Sequence, residues 1–187
     1  MFIQSEATPN PATLKFIPGV PVLNSGSADF PNIGTAREKS PLAHALFEIE
    51  GVTAVFLGKD FISVSKSEMI DWQVLKPAVL GAIMEHFTRG MPVLTEEVEV
   101  DGDEEGPDFN DPIVQQIQEL LDTRVRPAVA GDGGDIVFRG FDDGIVYLSM
   151  QGACAGCPSS TATLKMGIEN MLRHFIPEVQ EVRPAPY

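Results

Sequence analysis

The chain has 187 residues, 43% of them apolar and 21% charged, and its 27 acidic side chains outnumber 13 basic ones to give a formal net charge of −14. That length suits one mid-sized domain or two small ones. No cluster of Lys and Arg is present to grip a phosphate backbone or anionic lipid, and no apolar run is long enough to cross a bilayer, so neither nucleic acid nor membrane is expected as a partner.

The opening residues Met1 to Glu6 carry neither a basic n-region nor an apolar h-region, and they lack the Arg-rich character of an organelle transit peptide. The expectation is a bacterial cytoplasm, or the mitochondrial matrix for a form whose leader has been removed. Leu14 to Ile17 reads as a strand stopped by Pro18-Gly19, and residues 24–27 as a loop. Ser40 fits an N-cap with Pro41 at the first helical position, starting a short helix through Phe47 that Gly51 ends. Val52 to Leu57 and Phe61 to Val64 are β-rich runs joined through Gly58-Lys59-Asp60 as a hairpin. Trp72, Leu75, Val79, Ile83 and Phe87 then recur at helical spacing, with Pro77 inside the pattern marking a start or a bend and Gly90 closing it.

Between Thr95 and Asp111 the chain places a third of its 27 acidic residues and no basic one. This reads as a solvated, self-repelling linker. It divides the sequence into a first domain at 1–90, an acidic linker at 91–110 and a second domain at 111–187. Asp111-Pro112 starts a helix with Ile113, Ile117, Leu120 and Leu121 on one face, and Arg124 and Arg126 are placed at its C-terminal end, where positive charge suits the macrodipole. After the tight loop at Gly131 to Gly134, Asp135 to Phe141 and Ile145 to Met150 form two strands joined by Asp142-Asp143-Gly144, a strong hairpin signal. Pro158 opens a helix with the stripe Leu164, Ile168, Met171, Leu172 and Phe175; Pro177 stops it, and Val179 to Val182 adds a last short strand. The fold class is therefore α+β, in two small α+β domains.

The chain has two cysteines, and both lie in Cys154-Ala155-Gly156-Cys157-Pro158. A secreted disulfide framework scatters several cysteines, so a reducing compartment and a chemical use for the pair are expected. Two thiols three positions apart reach one metal centre, and the small residues between them let the backbone approach it. With Pro158 at the first helical position, Cys157 falls at a helix N-terminus, where unpaired N–H groups favour thiolates and an anionic cluster.

Three chemistries compete for such a pair: a thiol packed for structure, a thioredoxin-like dithiol, and a zinc or iron–sulfur site. The thioredoxin reading needs a parallel βαβ unit and substantial chain after the motif, whereas here an antiparallel hairpin precedes it and a short tail follows. Metal sites usually take four protein ligands. Two chains that each give Cys154 and Cys157 complete a four-thiolate shell on a two-fold axis. A site of that kind is exposed and held by two loops, which suits a labile, transferable cluster. A zinc-bridged dimer and a thiol–disulfide enzyme remain as rivals.

His44, His86 and His174 are far apart in sequence. His86 and His174 read as packing or capping residues and His44 as solvent-facing. No Ser/His/Asp or Cys/His catalytic set stands out, and the Gly131 to Gly134 loop lacks the lysine and hydroxyl of a P-loop.

Taken together, Arg126-Pro127, Asp132-Gly133-Gly134-Asp135 and Cys154-Ala155-Gly156-Cys157-Pro158-Ser159-Ser160 resemble the C-terminal domain of NifU. Glu6-Ala7-Thr8-Pro9-Asn10-Pro11 with Leu14-Lys15-Phe16 resembles the N-terminal domain of Nfu-type proteins. The resemblance implies an iron–sulfur carrier and not an enzyme. It implies a [4Fe–4S] cluster bridged between two protomers, with Cys154 and Cys157 as its ligands and a homodimer in the loaded state. A [2Fe–2S] cluster accepts the same four thiolates. The implied partners are an upstream cluster donor and apo iron–sulfur client proteins, with the N-terminal domain helping to recognise them.

Overall fold

A computed structural model describes residues 2–24, 26–95, 110–153 and 158–185, with the side chains of 158–161 outside the description. The chain divides into two compact units, Met1–Asp101 and Gly102–Tyr187. Most of the acidic stretch, residues 96–109, lies outside the described residues.

The first unit runs β1 (Gln4–Ala7), β2 (Thr13–Ile17), β3 (Ala28–Phe30), α1 (Ile33–Lys39), α2 (Pro41–Phe47), β4 (Val52–Leu57), β5 (Ile62–Lys66) and α3 (Trp72–Thr88). Its sheet has the order β1-β2-β5-β4-β3, and all neighbours are antiparallel. In the central hairpin Val55 faces Val64 and Leu57 faces Ile62, and all four join a core shared with Phe16, Leu42, Leu75 and Ile83. The expected strands and the α2 and α3 helices are present. Pro77 does not start α3: the helix begins five residues earlier, at Trp72, and the proline falls in its second turn.

Three elements of this unit had no sequence signal. Strand β1 is an edge strand of mostly exposed residues, without the alternation that betrays a buried face. Strand β3 is three residues long. Helix α1 buries only Ala36 and is started by the Asn32 side chain, which accepts from the Thr35 N–H at 3.1 Å.

Ser40 is fully buried and works at both of its ends. Its hydroxyl accepts from the Ala43 N–H at 3.0 Å, capping α2, and donates to the Val93 carbonyl at 2.6 Å. The Thr95 N–H donates to the Lys39 carbonyl at 3.0 Å, and Val93 and Leu94 pack on the core. The residues after α3 are therefore bound to this unit through position 95.

The second unit runs α4 (Pro112–Leu120), a π-helical turn (Leu121–Val125), α5 (Arg126–Gly131), β6 (Gly134–Asp142), β7 (Ile145–Gly152), α6 (Pro158–Phe175) and β8 (Glu181–Pro184). Strands β6 and β7 form an antiparallel hairpin, and β8 joins β7 in parallel, with α6 as the crossover that parallel pairing requires. The hairpin turn is of the primed kind, with φ of 49° at Asp143 and 79° at Gly144. The Gly144 carbonyl also accepts from the Gln180 and Glu181 N–H groups at 2.7 and 3.2 Å, so the same turn anchors the start of β8.

Val114, Ile117, Leu121, Val125 and Val129 form the buried stripe along α4, the π turn and α5. Ile113 and Leu120, expected on this face, are only half-buried. Nor does the helical rod end at the arginines. The π turn carries it on to Gly131, and the Arg126 N–H reaches back five residues to the Leu121 carbonyl. Pro127 explains the wide turn: it has no N–H, and its ring crowds the carbonyl four residues earlier.

Candidate metal centre

Cys154 and Cys157 lie outside the described residues; the frame on either side of them does not. On one side β7 ends at Gly152, whose φ of 67° turns the chain out of the sheet in a conformation that suits glycine. Ala153 follows, 3% exposed, and its N–H donates to the Gly133 carbonyl at 3.2 Å. On the other side Pro158 is the first residue of α6. The motif thus joins a pinned strand end to a helix start, as its sequence suggests.

Helix α6 has no acidic residue in its first turn, and Arg173 and His174 sit in its last turn. The N-terminal end of such a helix carries the positive end of its macrodipole, with no acidic side chain of its own first turn to neutralise it.

At the end of the hairpin next to Gly152 lies a charged pair whose role differs from the one its sequence position suggests. Arg126 is not a macrodipole residue. Its Nε and Nη2 donate to the two carboxylate oxygens of Asp135, both at 2.9 Å, in a bidentate fork. Asp135 Oδ1 also accepts from the Ile136 N–H at 2.8 Å, and the Asp135 side chain is 8% exposed. Arg126 Nη1 reaches Asp122 at 3.1 Å. Two carboxylates around one guanidinium raise the arginine's pKa, with the Asp135 hydrogen bonds as the largest cause. In the ladder Asp135 faces Gln151 and Gly134 faces Gly152, so the fork grips the end of the hairpin from which the cysteine loop leaves. The available signal was a pair of opposite charges nine residues apart across a glycine-rich turn.

The one histidine of the second unit, His174, is not at the N-terminal end of α6. His174 is exposed at the far end of α6, about 24 Å from Pro158 at a helical rise of 1.5 Å per residue. It meets Phe175 edge-on. His44, expected in solvent, is half-buried on α2. His86 is 3% exposed on α3, and its Nε2 has no partner among the described residues. Burial lowers its pKa, against hydrogen bonds to the backbone of Pro92 and Met91. No group of three metal-ligating side chains forms among the described residues.

Residues 3–90 match the family described as "Scaffold protein Nfu/NifU N terminal", and residues 117–183 match the family described as "NifU-like domain". A human protein named "NFU1 iron-sulfur cluster scaffold homolog, mitochondrial" is 54% identical over 183 residues, covering 97% of this chain and 71% of its own length. A protein of the same name from Drosophila persimilis is 54% identical over 183 residues, 97% of this chain and 64% of its own length. Among solved structures, a NifU-like protein from Saccharomyces cerevisiae is 26% identical with a TM-score of 0.46, over 52% of this chain and 87% of that one.

Proposed function

The chain belongs to the Nfu/NifU family of iron–sulfur cluster scaffold proteins, a family of scaffolds and not of enzymes, and from that premise we propose that it carries a [4Fe–4S] cluster between two copies of itself and delivers it to apo-proteins. Cys154 and Cys157 of each copy are the ligands. The observation that carries this reading is the ligand count: the chain's two cysteines share one short loop, no histidine lies near it within the second unit, and a cluster of this kind takes four thiolates.

The frame around the loop supports the reading. A strand end pinned at Ala153 and a helix start at Pro158 hold the span between them short. The helix N-terminus favours thiolate over thiol, which both metal binding and exchange require. Delivery then proceeds by ligand exchange: each client thiolate that binds iron displaces one of Cys154 or Cys157. The first unit is assigned to recognising clients and the upstream donor. Relatives are named as mitochondrial, and the proposed place of action is the mitochondrial matrix.

Anaerobic reconstitution tests this directly, with iron and sulfide counted per chain and the cluster typed by Mössbauer spectroscopy. The expected result is about four irons and four sulfides per dimer, lost in Cys154→Ala and in Cys157→Ala while the apo fold persists. Zinc in place of iron, or a reversible Cys154–Cys157 disulfide with no metal, refutes it in favour of a structural or a redox role.

A further inference from the structure

The Arg126–Asp135 pair is partly buried, with Asp135 8% and Arg126 35% exposed, and an ion pair drawn out of water gains little net stability once desolvation is counted. What the fork of Arg126 on Asp135 supplies instead is direction: two parallel hydrogen bonds fix the guanidinium in plane and angle. Its place is equally specific. Asp135 stands opposite Gln151, three residues before Cys154 along the chain, and the turn between α5 and β6 holds the Ala153 N–H through Gly133.

The helix that brings Arg126 there is not regular. The π turn Leu121–Val125 immediately precedes it, and Pro127 immediately follows. One extra residue in a turn rotates everything beyond it by about 100°, one residue's share of a 3.6-residue turn. Without that rotation Arg126 leaves the helix in a different direction from the one that meets Asp135. A regular α-helix is the cheaper local structure, and π turns of this kind occur frequently at functional sites.

We propose that the π turn, Pro127, Arg126 and Asp135 form one positioning device for the cysteine loop, and that this device sets how firmly the loop holds its metal cargo. The proposal rests on the scaffold reading above. Arg126 and Asp135 touch no cargo in this account; they act through Gly133, Gln151 and Ala153, as positioning residues.

The test uses the full chain, reconstituted without oxygen, in four forms: wild type, Asp135→Asn, Arg126→Lys and Pro127→Ala. A fifth form, Gly144→Ala, strains the opposite end of the hairpin and serves as a stability control. Cluster loss to an iron chelator is followed by absorbance, with thermal melting of each apo form beside it. Asp135→Asn, Arg126→Lys and Pro127→Ala are expected to lose the cluster about 10-fold faster or more, the usual effect of removing a partner that orients a metal ligand. Pro127→Ala is the decisive form, because it regains an N–H and helix propensity and is expected to melt no lower than wild type. Gly144→Ala is expected to melt lower yet hold the cluster at the wild-type rate. If loss rates follow melting temperatures across all five forms, or if Pro127→Ala holds its cluster as wild type does, the positioning role is overturned and the scaffold reading stands. A wild type that takes up no cluster overturns both.

Discussion

Leu172→Ala tests whether the helix that follows the cysteines depends on its packing. Leu172 is fully buried, in one core cluster with Ile117, Val146 and Val182. The truncation removes three carbons, about 2.4 kcal/mol of transfer free energy at about 0.8 kcal/mol per methylene. The cavity left behind brings the total to about 2.7–5 kcal/mol. A domain of about 60–100 residues shifts its Tm by about 4–8 °C per kcal/mol, so the second unit is expected to melt at least about 10 °C lower. The first unit builds its core from other residues, Phe16, Leu42 and Ile83 among them, and its transition is expected to stay in place. Calorimetry on the full chain, with hydrogen exchange read peptide by peptide, separates the two transitions. Cluster yield is expected to fall in step with the fraction of the second unit unfolded. Equal loss of protection in α3 and α6, or a Tm shift under about 3 °C, refutes the argument of two separate cores and a tightly packed α6.

Burial lowers the pKa of His86 in the folded first unit. Below the ordinary value of 6.5 the unfolded chain then binds a proton that the folded unit resists, so stability present above that pH is lost as pH falls through it. Melting between about pH 8 and 5 is expected to show this slope in the wild type and a flatter one in His86→Leu; identical slopes refute it. Gly144→Ala places a side chain at a φ of 79°, with the Gln180 side chain 2.9 Å from the new carbon. The second unit is expected to lose about 1–2 kcal/mol in denaturant titration, and an unchanged midpoint counts against the turn assignment. Ser40→Ala removes the α2 cap and strands the Val93 carbonyl. A loss of about 1–3 kcal/mol is expected, with faster hydrogen exchange at Ala43; protection there equal to wild type refutes the capping role.

Some of this protein was legible along the chain because the signals are local. Asp142-Asp143-Gly144 specifies a turn by its own backbone preferences, and the turn is there. Ser40-Pro41 and Asp111-Pro112 start helices through caps that reach only a few residues, and both helices begin where those pairs stand. Cys154-Ala155-Gly156-Cys157-Pro158 announces its chemistry by residue type and spacing, and its setting between a strand end and a helix start follows from the flanking sequence. What the sequence left unread depends on partners distant along the chain or on geometry that no residue declares. Strand β1 exists because β2 pairs with it, since four largely exposed residues have no preference strong enough to form a strand alone. Ser40 reads as a cap, but its bond to Val93 spans 53 residues. Arg126 has the composition of a helix-end charge. Only the π turn Leu121–Val125 and the fold of the hairpin bring it onto Asp135, because the direction of a side chain is set by the whole rotation of the helix that carries it.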